Sequence, residues 1–169
     1  PQISDRTACL LKGGADPTLA MYGCARRLQK DGCDAIIVPC NTAHAFVLYL
    51  ERHLDIPFIN MQIATMEEIK AKLGDKARIG LLATSGTVQT GIYTDGQCRE
   101  DLVSAAEYLV KTYDCNCLIL GCTELPLILD ECDDFVCAGK EVCVVDPTSA
   151  LARKVVRIAT ETNKARGTR

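Results

Sequence analysis

The sequence predicts an α/β fold of two similar halves, each with a parallel β-sheet flanked by helices. Short apolar runs at residues 35–38, 77–83, 117–120 and 142–145 have the length and the branched side chains of buried strands. Helical periodicity separates most of these runs, and strands that alternate with helices usually pair in parallel. In addition, one order of helix, strand and cysteine occurs twice along the chain.

The first clear helix is predicted over residues 17–30. Asp16 can cap its start, and Asp31-Gly32 is a stop signal. The strand at 35–38 follows at once and, because it is apolar throughout, is expected to be buried on both faces. A second helix, over residues 43–53, begins at the end of this strand.

The same order of elements recurs in the second half of the chain. A helix predicted over residues 100–112 leads through a turn near Asp114 into the apolar strand 117–120. Cys40 ends the first of the two repeated strands and Cys122 ends the second, and each is followed within two residues by Thr. Cys33 precedes Cys40 by the same spacing as Cys115 precedes Cys122. We interpret this as an internal repeat.

Several chemically useful side chains stand at predicted strand ends, where ligands of parallel sheets bind. They are Cys40, Thr84, Ser85, Cys122 and Asp146. A closing helix is predicted over residues 149–159. The polar residues 163–169 are expected to form a tail with little order.

Composition favours a small-molecule partner. The net charge is −3, and Lys and Arg are scattered along the chain, which argues against a nucleic-acid partner. No apolar run reaches the roughly 20 residues that cross a bilayer, and the first residues lack a signal-peptide pattern. We therefore expect no membrane partner and a cytoplasmic protein.

The eleven cysteines are expected to be mostly reduced thiols that pack as small apolar residues. Residues 115–122 and 132–143 are locally dense in cysteine, but their spacings do not match the paired Cys-x2-Cys pattern of a zinc site. No metal site is therefore predicted. A thioredoxin-like motif, Cys-x-x-Cys, is absent from the sequence.

Cys40 and Cys122 stand out by position. A thiol between the end of a strand and the start of a helix lies among free backbone N–H groups, which lower its pKa from an ordinary value of ~8.5. Such a thiol can accept and donate protons near neutral pH. Two of them on opposite sides of a carbon can remove a proton from one face and deliver one to the other, which inverts a stereocentre.

Two histidines, a glutamate and an arginine are further candidates for the site. A cysteine that forms acyl intermediates needs a histidine base, but His44 is expected on a helix face or in a supporting role and His53 in solvent. Glu124 could orient a substrate ammonium or a thiol partner, or merely complement a helix dipole; we favour a functional role. Arg6 could pair with a carboxylate, but as an isolated residue near the start of the sequence it would by itself be interpreted as an ordinary surface arginine.

These residues resemble one family. Residues 39–44 (Pro-Cys-Asn-Thr-Ala-His) and 121–126 (Gly-Cys-Thr-Glu-Leu-Pro) look like the two signature segments of the aspartate/glutamate racemase superfamily, in particular its aspartate racemase branch. Shorter similarities at 5–7, 83–87, 91–93 and 146–148 extend the resemblance over nearly the whole chain.

The resemblance implies two α/β lobes related by a pseudo-two-fold axis, with the active site between them. Residues 1–59 and 146–169 would form the first lobe and residues 60–145 the second. It further implies no cofactor, neither pyridoxal phosphate nor a metal, and a homodimer as the partner state.

For the site, the resemblance implies that Cys40 and Cys122 are the two bases and that Arg6 recognises a side-chain carboxylate. The residues that would hold the α-carboxylate and amino group are Asn41, Thr42, Thr84, Thr87 and Thr123. The expected function is racemisation of aspartate or glutamate. Alternatives are a related thiol enzyme (hydantoin racemase, maleate isomerase or malonate decarboxylase) and a catalytically silent binding homologue.

The sequence departs from the family pattern in two places. Members begin with a strand and a Gly-rich loop ahead of the Asp-Arg-Thr segment, whereas this sequence starts at Pro1. They also carry a helical stretch with a substrate-facing Lys, for which residues 94–98 are too short. We expect the sequence to omit segments of a longer protein.

Overall fold

The computed structural model describes residues 3–83 and 96–167 of the chain. Its contacts group the chain into two compact units, Pro1–Met61 and Gln62–Arg169. Each unit contains parallel strand pairing and packed helices, so the predicted α/β class is confirmed.

The first unit is built from three helices and a parallel pair of short strands. In chain order these are α1 (Arg6–Lys12), α2 (Thr18–Lys30), β1 (Ile36–Ile37), α3 (His44–Glu51) and β2 (Phe58–Ile59). Apolar side chains of α2, β1 and α3 form its core, with Met21, Ala25, Ile36, Ala43 and Leu50 buried.

The local signals for α2 are confirmed. Asp16 accepts a hydrogen bond from the N–H of Thr18 at 2.8 Å, and Gly32 has a φ of 83°, which glycine adopts without strain. The expectation that β1 is buried on both faces is wrong. Ile36 is 4% exposed and Ile37 is 44% exposed, because only one face of this strand packs against the core of the unit.

The second unit holds a four-stranded sheet. Its elements are α4 (Met61–Leu73), whose first residue belongs to the first unit, β3 (Ile79–Leu82), α5 (Gly96–Tyr113), β4 (Cys117–Leu120), β5 (Cys132–Cys137), β6 (Lys140–Val145) and α6 (Pro147–Gly167), with short 3₁₀ helices at Gly74–Lys76 and Leu125–Leu127. The strand order is β3-β4-β6-β5. The first three strands are parallel, and β5 is antiparallel to β6.

Both faces of this sheet are covered by apolar packing. On one face, Leu102, Ala106 and Val110 of α5 are buried in a cluster with the strands. On the other, Ile69 of α4 packs with Cys117 and Cys143. These two cysteines are therefore core residues, as expected for most of the cysteines.

Several elements differ from the sequence-based expectations, and α1, β2 and α4 were not predicted at all. Strand β5 was not predicted, and it reaches β6 through a hairpin turn in which Ala138 and Gly139 both have positive φ. The prediction of a poorly ordered tail over 163–169 is wrong up to residue 167, because α6 continues to Gly167. Side chains such as Thr162 bond back to the carbonyl four residues earlier, at 2.9 Å to Ile158.

Helix α6 groups with the second unit. Arg153 pairs with Glu68 of α4 and with Glu131 just before β5, each at 2.7 Å, and Lys154 pairs with Glu67 at 2.9 Å. The sequence-based division, which joined residues 146–169 to the first lobe, differs from this grouping.

Candidate active site

Cys40 lies in a turn between β1 and α3. Its N–H donates to the carbonyl of Val38 at 2.8 Å, and α3 begins at His44. The side chain is half-buried against the apolar core of the first unit. The structure thus places this thiol where the sequence predicted it, between the end of a strand and the start of a helix.

Two side chains reach the sulfur of Cys40. The hydroxyl of Thr42 lies 3.4 Å from Sγ, and Nη2 of Arg6 lies 3.8 Å from it. Arg6 is the first residue of α1, whose start is capped by Asp5 through the N–H of Ala8 at 3.0 Å. The cap stabilises the helical turn that carries the guanidinium.

These contacts favour the thiolate form of Cys40. Burial of the thiol opposes its ionisation, but hydrogen bonds from Thr42, from the N–H of Ala43 and from Arg6 outweigh burial. Together with the positive charge of Arg6, they lower the pKa of Cys40 below its ordinary value. A thiolate is both a nucleophile and a proton acceptor, so Cys40 can serve as a base.

His44 supports the same turn from the other side. Its Nδ1 lies 2.8 Å from the carbonyl oxygen of Cys40, and its Nε2 lies 3.1 Å from the backbone nitrogen of Met61. The supporting role expected from sequence agrees with these contacts. The second partner, 17 residues away in the chain, left no signal in the sequence.

Cys122 lies just after β4 in the second unit and is half-buried against the core. The N–H of Gly121 donates to the carbonyl of Leu82 at 2.6 Å, which holds the end of β4 against β3. The segment after Cys122 forms only the 3₁₀ helix Leu125–Leu127, so the expected helix start at this cysteine is wrong. Strand β5 then begins at Cys132.

One partner of Cys122 is a carboxylate. Its thiol donates a hydrogen bond to Oε2 of Glu124. This bond lowers the pKa of Glu124, while partial burial of the carboxyl group acts in the opposite direction. A carboxylate that accepts a hydrogen bond from a thiol favours the protonated form of that thiol. Glu124 therefore contacts the thiol, one of the two functional roles considered for it.

The remaining predicted site residues lie in their expected segments where the structure describes them. Asn41 is half-buried next to Cys40, and Thr123 is exposed next to Cys122. Thr84 and Thr87 lie outside the described residues. The structure thus brings Arg6, Thr42 and His44 to Cys40 and brings Glu124 to Cys122.

The described ranges, 3–83 and 96–167, contain neither a candidate group of metal ligands nor a candidate membrane-spanning helix. Among these residues no three His, Cys, Asp or Glu side chains gather where they could hold a metal ion. None of the described helices is both long enough and apolar enough to span a bilayer.

Comparison with protein families identifies a racemase family. The family described as Asp/Glu/hydantoin racemase matches residues 1–97. Among curated proteins, a glutamate racemase from Shewanella frigidimarina is 32% identical over an alignment that covers 78% of this chain and 60% of that protein. A glutamate racemase from Shewanella sp. strain MR-4 is 29% identical, with 75% and 56% covered. The chain thus spans a little over half the length of these relatives.

Solved structures share the fold. An aspartate racemase homologue from Pyrococcus horikoshii superposes with a TM-score of 0.66 at 21% identity and covers 85% of this chain and 74% of its own. The aspartate racemase of Picrophilus torridus gives a TM-score of 0.63 at 24% identity, with 94% and 76% covered. Both have the α/β architecture predicted from the sequence.

Proposed function

The chain belongs to the Asp/Glu/hydantoin racemase family, and on that premise we propose that it racemises an acidic amino acid, aspartate or glutamate. The reaction uses neither pyridoxal phosphate nor a metal. Cys40 and Cys122 act as the two acid/base groups at the α-carbon. One removes the α-proton, and the other delivers a proton to the opposite face, so the substrate is isomerised with no net change in protons or electrons.

The observation that carries this proposal is the contrast between the partners of the two cysteines. Cys40 is surrounded by donors and a cation, namely Thr42, the N–H of Ala43 and Arg6. The thiol of Cys122 instead donates a hydrogen bond to the carboxylate of Glu124. The first environment favours a thiolate and the second a thiol. A two-base racemase needs one thiolate and one protonated thiol at the start of a turnover.

The substrate class rests on the family and on the polar groups beside the thiols. Glutamate racemases are among the relatives, and Asn41, Thr42 and Thr123 offer hydrogen bonds to an α-carboxylate and an ammonium. We assign the same role to Thr84 and Thr87. A guanidinium has five N–H donors, so Arg6 can contact Cys40 and still bind the side-chain carboxylate of the substrate.

The test is proton NMR of the α-proton in D2O, with the L and D forms of aspartate and glutamate supplied in turn. Loss of the α-proton signal from either enantiomer is expected, and substitution of either thiol, Cys40→Ala or Cys122→Ala, should abolish it. Cys33→Ala and Cys132→Ala are the matched controls, since both are half-buried free thiols with no role in the proposal.

Two outcomes would overturn the proposal. Exchange that survives both thiol substitutions would remove the two-base mechanism. If neither enantiomer of aspartate or glutamate exchanges its α-proton, the proposed substrate class is wrong. Turnover of a hydantoin, maleate or a malonate would then identify a related thiol enzyme. If none of these compounds is turned over, the protein is a catalytically silent binding homologue.

We also propose that the protein is a cytoplasmic homodimer, on the strength of its resemblance to aspartate racemases. Size-exclusion chromatography with light scattering tests the dimer, and a monomeric mass at micromolar concentration would contradict it. Cell fractionation of the tagged protein tests the location.

A further inference from the structure

The imidazole of His44 is held by the backbone through both of its nitrogens. Nδ1 lies 2.8 Å from the carbonyl oxygen of Cys40, and Nε2 lies 3.1 Å from the nitrogen of Met61. The side chain is half-buried. One ring thus joins the turn that carries Cys40 to the first residue of α4.

The two backbone partners determine the tautomer of His44. The N–H of Met61 can only donate, so Nε2 must be the unprotonated acceptor. The carbonyl of Cys40 can only accept, so the single ring proton of a neutral imidazole is on Nδ1 and is donated to it. Both bonds are satisfied together by the neutral Nδ1–H form.

This arrangement leaves the ring without a free nitrogen for a substrate. A histidine acting as a general acid or base must bring a nitrogen within hydrogen-bond reach of the proton that moves. In His44 both positions are taken by backbone groups, so a direct part in proton transfer would break one of the two bonds. The ring acts on Cys40 through its backbone.

The backbone of Cys40 is otherwise held locally. Its N–H bonds to the carbonyl of Val38 at 2.8 Å, and the N–H of His44 bonds to the carbonyl of Asn41 at 3.1 Å. The His44 ring connects the Cys40 carbonyl to Met61, a residue outside the turn, through a hydrogen bond at each of its nitrogens. Such a connection restricts the direction in which the Cys40 side chain leaves the turn.

We infer that His44 is a positioning residue, which keeps the sulfur of Cys40 against Thr42 and Arg6 by clamping the Cys40 carbonyl to Met61. The contacts of the Cys40 sulfur are long, 3.4 Å to the hydroxyl of Thr42 and 3.8 Å to the guanidinium of Arg6. A shift of the turn by a fraction of an ångström would weaken them. The inference rests on the proposed function only where it treats Cys40 as a working base.

The test measures alkylation of Cys40 by iodoacetamide as a function of pH, with the modified peptide quantified by mass spectrometry. In His44→Ala we expect the Cys40 profile to move to higher pH and the rate at pH 7.5 to fall about tenfold. Cys122 in the same sample is the internal reference, and its profile should not move.

His53 provides the matched control. Its Nδ1 makes the same kind of bond to the carbonyl four residues earlier, 2.7 Å from Tyr49. His53→Ala removes an equivalent histidine contact at the other end of α3, and it should leave the Cys40 profile unchanged. A similar shift in both variants would show a general loosening of the helix and would overturn the inference.

His44→Asn separates the two bonds and covers the case in which His44→Ala does not fold. The amide nitrogen of Asn occupies the place of Nδ1 and can still donate to the Cys40 carbonyl, but the shorter side chain has no acceptor in the place of Nε2, so its bond with the N–H of Met61 is lost. We expect an intermediate loss of alkylation rate, about threefold, with faster hydrogen exchange of the Met61 amide. A folded His44→Asn or His44→Ala protein with the wild-type profile would overturn the inference.

The readout needs no substrate. A protein that fails every racemase assay would still report the environment of Cys40, so failure of the proposed function and failure of this inference give different results. If exchange activity is found, His44→Asn should lower kcat with little change in KM, because the variant alters the base and leaves the substrate contacts in place.

Discussion

The guanidinium of Arg6 lies 3.8 Å from the sulfur of Cys40, although 34 residues separate the two in the chain. Helix α1 therefore supplies a cation to a thiol that lies beyond the next strand. A positive charge at this distance favours the thiolate, which links the first helix of the chain to the chemistry of the candidate base.

Replacement of Arg6 should make Cys40 a weaker acid. In Arg6→Ala both the hydrogen bond and the charge that lower the pKa of Cys40 are lost. We expect the pKa of Cys40 to rise and its alkylation at neutral pH to slow about tenfold. The pH dependence of the alkylation rate measures this directly.

Lys12→Ala is the control for Arg6, since it removes one positive charge from the last turn of the same helix. It should leave the Cys40 profile in place. Equal effects of the two substitutions would mean that net charge, and not the contact of Arg6 with the sulfur, sets the acidity of this thiol.

The hydroxyl of Thr42 gives a second, isosteric test of the same environment. Thr42→Val keeps the shape of the side chain and removes the group 3.4 Å from the sulfur. One hydrogen bond contributes ~1 kcal/mol, so alkylation of Cys40 near pH 7.5 should slow about fivefold. Thr42→Ser retains the hydroxyl and should stay within about twofold of wild type; the idea fails if the valine variant matches the serine variant.

The pKa of Glu124 depends on its hydrogen bond with Cys122. The thiol hydrogen bond lowers the pKa of this carboxyl group, so Cys122→Ala should raise the pKa of Glu124 toward the ordinary glutamate value of 4.5. A carbon-13 NMR titration of labelled glutamate side chains measures the change, with Cys132→Ala as the control. An unchanged Glu124 titration would contradict the thiol-to-carboxylate bond.

If Cys122 is the proton donor, its carboxylate partner should matter for turnover. Glu124→Gln keeps an acceptor oxygen but removes the charge. We expect deuterium exchange into the substrate to fall by about a hundredfold, the lower range for a general acid/base group. Glu141→Gln, on an exposed position of β6, should leave exchange unchanged, and equal rates in both variants would remove Glu124 from the mechanism.

Arg153 is expected to stabilise the second unit in a pH-dependent way. It bonds to both Glu68 and Glu131, but its side chain is 49% exposed, so Arg153→Ala should lower the free energy of unfolding by only about 1 kcal/mol at pH 7. Arg157→Ala, which breaks a single 3.7 Å pair between exposed groups, should have little effect. Urea denaturation measures both values.

The sign of the pH effect follows from Glu131. The hydrogen bond from Arg153 lowers the pKa of Glu131 below its ordinary value of 4.5, although burial acts against it. The stabilisation is therefore present above pH 4.5 and disappears as the pH falls through the lower folded-state value. Arg153→Ala and wild type should converge in acid; a difference that persists at pH 2 would show a packing effect instead.

The sequence predicted the elements whose signals are local. Strand β4 was predicted with its observed bounds, Cys117–Leu120, and α2 was predicted from Asp16 to the stop at Asp31-Gly32. Both rest on apolar runs or caps that need no distant partner. The two cysteines of the candidate site were found for the same reason, as residues that end apolar strands.

What the sequence could not show depends on distant partners. Strand β5 contains two cysteines and two aspartates, and it is a strand because β6 offers an edge to pair with. The contact of His44 with Met61 and that of Arg6 with Cys40 join residues 17 and 34 positions apart. No periodicity or motif encodes such distances.

Gly121 is the residue that allows β3 and β4 to meet just before Cys122. A Cβ at this position would lie 2.7 Å from Cδ1 of Leu81 and 2.8 Å from the carbonyl oxygen of Leu82. The leucine side chain can turn away, but the carbonyl belongs to the backbone that accepts the N–H of Gly121. Gly121→Ala should therefore separate the strand ends and lower the free energy of unfolding by about 1–3 kcal/mol.

Gly23→Ala is the matched control for this substitution. Gly23 lies within α2, and a Cβ there would have no heavy atom within 4 Å. Because alanine is the better helix former, this variant should be more stable than wild type by about 0.5–1 kcal/mol. Thermal and urea denaturation of the two variants should thus give shifts of opposite sign. A Gly121→Ala protein as stable as wild type would mean that the strand ends can part without cost, and the position of Cys122 would then not depend on this close approach.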